Sequence, residues 1–221
     1  MSTFLTADTH FGHPLMLTAL NRPYPHVDEM DEAMISAWNA VVHPKDTVWH
    51  LGDFSMKHEQ RRVSEIWHAL NGRKHLIIGN HDVDKKGNLL PALSRLDWVS
   101  VSHFAEIKHD GQRIMLSHYA PYVFNQSHRG SYAAFGHSHG QVIGMPGTID
   151  VGVDNQGLKP ISVEEFIRQA EESIINAEEI VSTISDRLIG LTDVWKEQAK
   201  AIKQNRRRIN EEKESSRSFR P

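Results

Sequence analysis

The chain has 221 residues, enough for one sizeable domain with an appendage, and its 39% hydrophobic and 24% charged residues lie within the ordinary globular range. A formal net charge of -3 gives no whole-chain attraction to nucleic acid, although a local basic patch is compatible with it. The absence of cysteine excludes disulfides, thiolate zinc sites and cysteine nucleophiles; no apolar stretch approaches the ~20 residues of a membrane span, and the first eight residues lack the charged and apolar regions of a signal peptide, so a cytoplasmic location is expected.

Residues 3–7 are a short apolar run ending at Asp8, the pattern of a buried strand. A loop punctuated by Pro14, Pro23 and Pro25 follows. From Asp28 to about Val42 the residues Met30, Met34, Ile35, Trp38, Val41 and Val42 recur at helical spacing, with acids in the first turn, where the helix dipole favours them, and Pro44 beyond the end. Residues 47–51 predict a second strand feeding Gly52-Asp53, residues 57–70 a helix, and residues 76–78 a third strand feeding Gly79-Asn80-His81-Asp82. Three times, then, a strand runs at once into side chains able to bind a cation. This is the α/β rhythm, in which function collects at the carboxyl ends of strands.

The second half changes character. Residues 104–108 and 112–116 flank Asp110-Gly111, a hairpin signal, and strands are expected at 131–135 and 148–153. The expected class is α/β, an α+β four-layer sandwich of two mixed sheets packed face to face and flanked by helices. That domain is expected to span residues 1–160. Residues 161–221 form a helical, coiled-coil-like extension: Ser162-Val163-Glu164-Glu165 is a capping box, and Val163, Ile167, Ala170, Ile174, Ala177, Val181, Ile184, Leu188, Leu191, Trp195 and Ile202 follow a three-four spacing. Either this helix packs on its own globular body or it pairs with a second copy. Its length favours a homo-oligomer. Gly190 offers a break into a hairpin, and the last dozen residues, charged and rich in serine, are expected to fray.

Histidine is the outlier, at 15 residues. His26, His58, His68, His75, His103, His109 and His128 stand in polar or turn-like contexts and read as ordinary surface residues. Most of the others sit in motifs. Asp8 and His10 are alternate residues, so an extended backbone turns both toward one cation. Asp53, after a glycine that permits close approach, can bridge two cations through its carboxylate. Asn80 offers a neutral oxygen. His81, beside it, is better placed to handle a proton or touch a phosphate, with Asp82 to orient it. His118 follows a strand, and His137 and His139 form a His-x-His pair between glycines. Each motif alone is as consistent with a turn or a surface histidine as with a ligand. Together they make an oxygen and imidazole set for two divalent ions, manganese first and iron, nickel, zinc or magnesium also suited.

The series Asp8-x-His10, Gly52-Asp53, Gly79-Asn80-His81-Asp82, His118 and Gly136-His137-x-His139 resembles the calcineurin-like metallophosphoesterase superfamily. The stretches 8–13, 21–24 and 49–54 resemble a bacterial and phage subgroup of predicted phosphoesterases, and residues 150–154 its last core strand. The resemblance implies that Asp8, His10, Asp53 and His139 hold one metal and that Asp53, Asn80, His118 and His137 hold the other. It implies His81 as general acid or transition-state contact, with His13 and Arg22 as further phosphate contacts; for Arg22 a surface arginine fits equally. The chemistry would be in-line attack of a metal-activated hydroxide on a phosphate ester, most often a diester. The Asp-x-x-Asp-Arg-Gly continuation of the protein phosphatases is absent, since Gly52-Asp53 runs into Phe54-Ser55-Met56. Two further readings stay open: a non-catalytic scaffold on this fold that recruits partners through the helical tail, and a nuclease using Lys203 and Arg206-Arg207-Arg208 as an arm, against which Glu211, Glu212 and Glu214 stand.

Overall fold

Phe4 and Leu5 lie on opposite sides of the first strand, β1 (Thr3–Thr6), and each belongs to a different hydrophobic core. The computed structural model describes residues 1–56 and 59–177. After β1 come α1 (Leu15–Ala19), α2 (Val27–Val41), β2 (Thr47–His50), α3 (Gln60–Ala69), β3 (Arg73–Ile77), α4 (Pro91–Ser94), β4 (Val101–Ser102), β5 (Phe104–His109), β6 (Gln112–Ser117), β7 (Tyr132–Phe135), β8 (Thr148–Asp150) and β9 (Ile161–Ser162). Residues 163–177 are helical. One sheet has the order β4-β3-β2-β1-β9, parallel except at β9. The other has the order β5-β6-β7-β8, antiparallel only across the β5–β6 hairpin. These are the two mixed sheets flanked by helices that the sequence predicts.

The first core packs Phe4 and Val48 against Met30, Met34 and Trp38 of α2 and Val63 and Ile66 of α3. The second lies between the sheets and joins Leu5 and Ile77 to Ile114, Leu116 and Ala134. Val163, Phe166 and Ala170, one face of the helix that opens at residue 163, are fully buried in this second core. That helix starts as its capping box indicates, with the Glu165 N–H donating to Ser162 Oγ at 3.2 Å. Residues 1–174 therefore form one compact unit. The heptad pattern beyond residue 177, the break at Gly190 and the charged end lie outside the described residues. Among the described residues no helix is long and apolar enough to cross a membrane.

The structure departs from the sequence expectation most at β3. Only Leu76-Ile77-Ile78 looks like a strand, yet β3 begins at Arg73, paired with Thr47, and carries Lys74 opposite Val48. Lys74 is buried because its ammonium donates to the carbonyls of Leu70 and Gly72 and lies 4.3 Å from the centre of the Trp67 ring. Burial lowers its pKa to about 8. His75 is not an ordinary surface residue either: it stacks on Trp49 at 4.0 Å and shares a 2.7 Å hydrogen bond with Ser100 Oγ. Polar side chains that find partners inside the fold leave no apolar signal to read. Strand β8 is shorter than expected, with Gly152 bridging to Ala7 instead of continuing the sheet.

If the helix from residue 163 is part of the core, Phe166→Ala should destabilise the protein by about 3–5 kcal/mol. Denaturant unfolding measures this, and a loss below ~1 kcal/mol would mean that the helix contributes little to the unit.

Candidate metal centre

The parallel strands β1, β2 and β3 end on the same edge of their sheet, and the chain stays paired beyond them. The Leu51 N–H donates to the Thr6 carbonyl at 2.7 Å, Asp8 to Gly52 at 3.0 Å, and His10 to Asp53 at 3.0 Å. Asp8, His10, Asp53, His137 and His139 all have left-handed backbone, with φ of 56°, 48°, 56°, 68° and 47°. Nine non-glycine residues with positive φ occur among the described residues, and these five are the ones that gather at one place. Each such residue costs on the order of 1 kcal/mol, so the strain is concentrated where the candidate ligands stand. Two glycines provide the clearance. A Cβ on Gly79 would lie 2.3 Å from Asp53 Oδ1, and one on Gly52 would lie 2.6 Å from His118 Nδ1.

All seven predicted ligands meet here. Asp8, His10 and His139 bring one ligand atom each within 4.8 Å of one another, and Asp53, His118 and His137 do the same. Asp53 Oδ2 lies 3.6 Å from Nε2 of His10 and 3.6 Å from Nε2 of His118, between the two groups. Its Oδ1 accepts the His81 N–H at 2.8 Å. Asn80 Oδ1 is 3.0 Å from His118 Nε2.

The hydrogen bonds set the tautomers. The Leu51 carbonyl can only accept, so at 2.8 Å His118 Nδ1 is the donor and its Nε2 carries a lone pair. That lone pair faces the Asn80 oxygen, two acceptors that a shared cation would reconcile. In the same way, Asp154 Oδ2 at 2.7 Å takes the Nδ1 proton of His139 and leaves Nε2 free. Asp8 Oδ2 accepts the His137 N–H at 2.8 Å, whereas its buried Oδ1 and both ring nitrogens of His10 have no hydrogen-bond partner. Burial, and next the charge of Asp53, raises the pKa of Asp8 well above the usual carboxylate range. Burial, then His139 and Arg22, lowers that of His10 to about 2, so its ring is neutral. Burial likewise lowers that of His118. Neutral imidazoles, a carboxylate short of positive charge and orphaned buried acceptors fit divalent cations.

The other predicted residues are placed less simply. The ring of His81 is exposed and lies 5.3 Å from that of His10, edge to face; that of His13 is 5.6 Å from it. Asp82 is fully buried and does not orient His81. Its carboxylate accepts the N–H groups of Asp53 at 2.8 Å, Phe54 at 3.0 Å and Gly79 at 2.8 Å, fastening the Asp53 loop to the Asn80 loop. Arg22 is buried and faces the protein: it pairs with Asp154 and donates to the carbonyls of Asp8 and Thr9. Several supporting residues escape a motif search. Asp150 accepts from Ser138 Oγ, Gly140 N–H and Gly152 N–H and so shapes the His137–His139 loop. Asp31 Oδ1 accepts the Gly12 N–H from within α2. His50 Nε2 lies 2.9 Å from Thr9 Oγ1, which gives its own proton to the Phe54 carbonyl, so His50 is the donor. The only outward sign of Asp150 and Asp154 was their place in the run resembling a last core strand.

Residues 1–156 match a family model described as calcineurin-like phosphoesterase superfamily domain. The chain is 29% identical over 191 residues to the uncharacterized protein MJ1445 of Methanocaldococcus jannaschii, which covers 83% of this chain and 96% of that one. It is 30% identical over 201 residues to the Gene 66 protein of Mycobacterium phage D29, covering 78% of this chain and 99% of the phage protein. Among solved structures it is similar to AQ665, a protein of unknown function from Aquifex aeolicus, with a TM-score of 0.59 and 26% identity over 76% of this chain and 98% of that one.

Gly79→Ala should displace the Asp53 carboxylate and weaken Mn²⁺ binding at least ~10-fold by calorimetric titration. Wild-type affinity in that variant would mean the clearance is unimportant. His50 supplies a pH test. Burial lowers its pKa from 6.5 to about 3, with His118 adding to the effect. Below pH 6.5 the unfolded chain therefore binds a proton that the folded chain refuses, and stability falls as pH drops. One such group accounts for about 2 kcal/mol between pH 7 and pH 5. His50→Gln should reduce the stability difference between those two pH values by that amount; an unchanged difference would show that His50 titrates normally.

Proposed function

The chain belongs to the calcineurin-like phosphoesterase superfamily, and on that premise we propose that it hydrolyses phosphate esters, diesters before monoesters, with two divalent ions held by Asp8, His10, Asp53, Asn80, His118, His137 and His139. The observation that carries this reading is the position of Asp53 Oδ2, 3.6 Å from a ring nitrogen in each of the two ligand groups. Manganese is the ion proposed first, and such oxygen and imidazole ligands also suit iron, nickel, zinc or magnesium. When bound, a pair of such ions lowers the pKa of a water and offsets the charge that builds on the phosphoryl oxygens.

The chain's own residues do the rest. His81 is exposed, its main-chain N–H is anchored on Asp53 Oδ1, and its ring lies 5.3 Å from that of His10. Protonated, it would donate to the leaving oxygen. His13, its ring 5.6 Å from that of His10, is the second candidate contact for a phosphoryl oxygen. We assign Asp82 and Arg22 to positioning instead, since their hydrogen bonds go to protein groups. Where protein phosphatases carry the Asp-x-x-Asp-Arg-Gly continuation, Asp53 is followed by Phe54 and Ser55, both buried. That supports a diester or small ester over a phosphoprotein. Self-association belongs to the same proposal, on the part of the heptad pattern that follows residue 174, since Val163, Phe166 and Ala170 are buried in the chain's own core.

Hydrolysis of bis-p-nitrophenyl phosphate should require added Mn²⁺ and disappear in Asp53→Asn. His81→Ala should keep its bound ions and lose about 10²–10⁴-fold in kcat. A fully metallated protein inert to diesters and monoesters alike would overturn the catalytic reading in favour of a scaffold, and unchanged turnover in His81→Ala would remove that residue from the chemistry.

A further inference from the structure

Arg22 has five N–H donors, and the structure accounts for all of them within the protein. Nε donates to Asp154 Oδ1 at 2.8 Å and Nη2 to Asp154 Oδ2 at 2.9 Å, a two-pronged pair. Nη2 also donates to the Asp8 carbonyl at 2.8 Å. Nη1 donates to the Thr9 carbonyl at 2.8 Å and lies 3.8 Å from the sulfurs of Met30 and Met34. The side chain is 1% exposed. No donor is left for a phosphate. The bonds converge on one ligand group instead. Two hold the backbone on which Asp8 and His10 stand, and the pair with Asp154 fixes the carboxylate that takes the Nδ1 proton of His139. In the other group no bond comes from Arg22 or Asp154: His118 is set by the Leu51 carbonyl, Asp53 by the His81 N–H, and His137 by its N–H on Asp8 Oδ2.

We propose that Arg22 and Asp154 are a positioning pair that sets the metal affinity of the Asp8, His10 and His139 group and leaves the Asp53, His118 and His137 group untouched. The proposal rests on the two-ion reading above. Asp154 holds the His139 ring with Nε2 turned away from it and makes the imidazole a stronger donor, as a carboxylate does behind a ligating histidine. Arg22 keeps Asp154 in place and at the same time holds two left-handed ligand residues, Asp8 and His10, through the carbonyls of Asp8 and Thr9. One guanidinium thus connects all three members of the group. Lysine could supply the charge but not the planar fork that reaches four acceptors at once.

The test is a calorimetric titration of metal-free protein with Mn²⁺. Asp154→Asn is nearly isosteric, but in either orientation its amide nitrogen would face a donor of Arg22 and its charge is gone, so it should lower the affinity of one equivalent by 10- to 100-fold and keep the other. Arg22→Lys should do the same to a smaller degree. Two backgrounds assign the equivalent. With His118→Ala, which removes the second group, Asp154→Asn should weaken the remaining ion; with Asp8→Ala it should change nothing. Equal weakening of both ions, or of neither, overturns the proposal. So does an Arg22→Lys protein with wild-type ion affinity and weakened binding of inorganic phosphate, which would restore Arg22 to the substrate. A wild-type protein that takes up one ion instead of two counts against the function proposed above, while the effect of Asp154→Asn on that ion in the two backgrounds still decides the present point.

Discussion

The site depends on holding a left-handed backbone at five residues that would otherwise avoid it. Asp8, His10, Asp53, His137 and His139 each turn their side chains inward through that conformation. Asp and His enter this region more readily than most residues, but it still costs each of them, and the support comes from elsewhere in the fold. The Asp8–His10 loop is paired to the Asp53 loop by backbone hydrogen bonds that continue past the strand ends. The Asp82 carboxylate fastens the Asp53 loop to Gly79, and Asp150 does comparable work for the His137–His139 loop. Rigid sheets supply the frame, and buried acids make the final connections.

Those acids raise a second issue, which is charge. Asp8 and Asp53 approach each other in a buried place, and the pKa of Asp8 is raised by both burial and its neighbour. Asp82 is buried too, and burial raises its pKa against three backbone N–H groups that lower it. Asp154 is the exception. Burial would raise its pKa, but hydrogen bonds from His139 and Arg22 outweigh that and hold it at about 2. The pattern divides the acids by task. Asp154, with its own arginine, favours the ionised form, whereas Asp8, which has none, is short of positive charge in a way that a divalent ion would correct.

Much of this was legible in the chain. The rule that a strand delivers a ligand at its carboxyl end located all seven candidate ligands, because ligand types and glycines leave a compact local signature. The roles of Asp82 and Arg22 were not legible. Asp82 follows His81 directly, so its place in the chain suggested a partner for that ring, whereas its carboxylate reaches back across the sheet to three main-chain groups. Arg22 sits in a proline-rich loop that reads as surface, yet its partner is Asp154, a residue with no motif of its own. Lys74 hid a whole half-strand in another way, by satisfying its ammonium on the nearby carbonyls of Leu70 and Gly72. Pairing between distant polar side chains is invisible to periodicity, which registers only what is apolar.

The hydrogen bond from the His137 N–H to Asp8 spans 129 residues, and the pair between Arg22 and Asp154 spans 132. A site closed by such bonds has no early nucleus of its own. The entropy of bringing chain segments this far apart together must be met by the two sheets before any ligand group is complete. While the chain is being made, its first half can pair β1, β2 and β3 and still present only Asp8, His10, Asp53 and Asn80, an open and half-formed set. Both candidate ligand groups and their supporting acids are complete only after residue 154 has left the ribosome and β8 has joined its sheet. Uptake of a metal there would be a late event in the life of this chain, a mark that folding has finished.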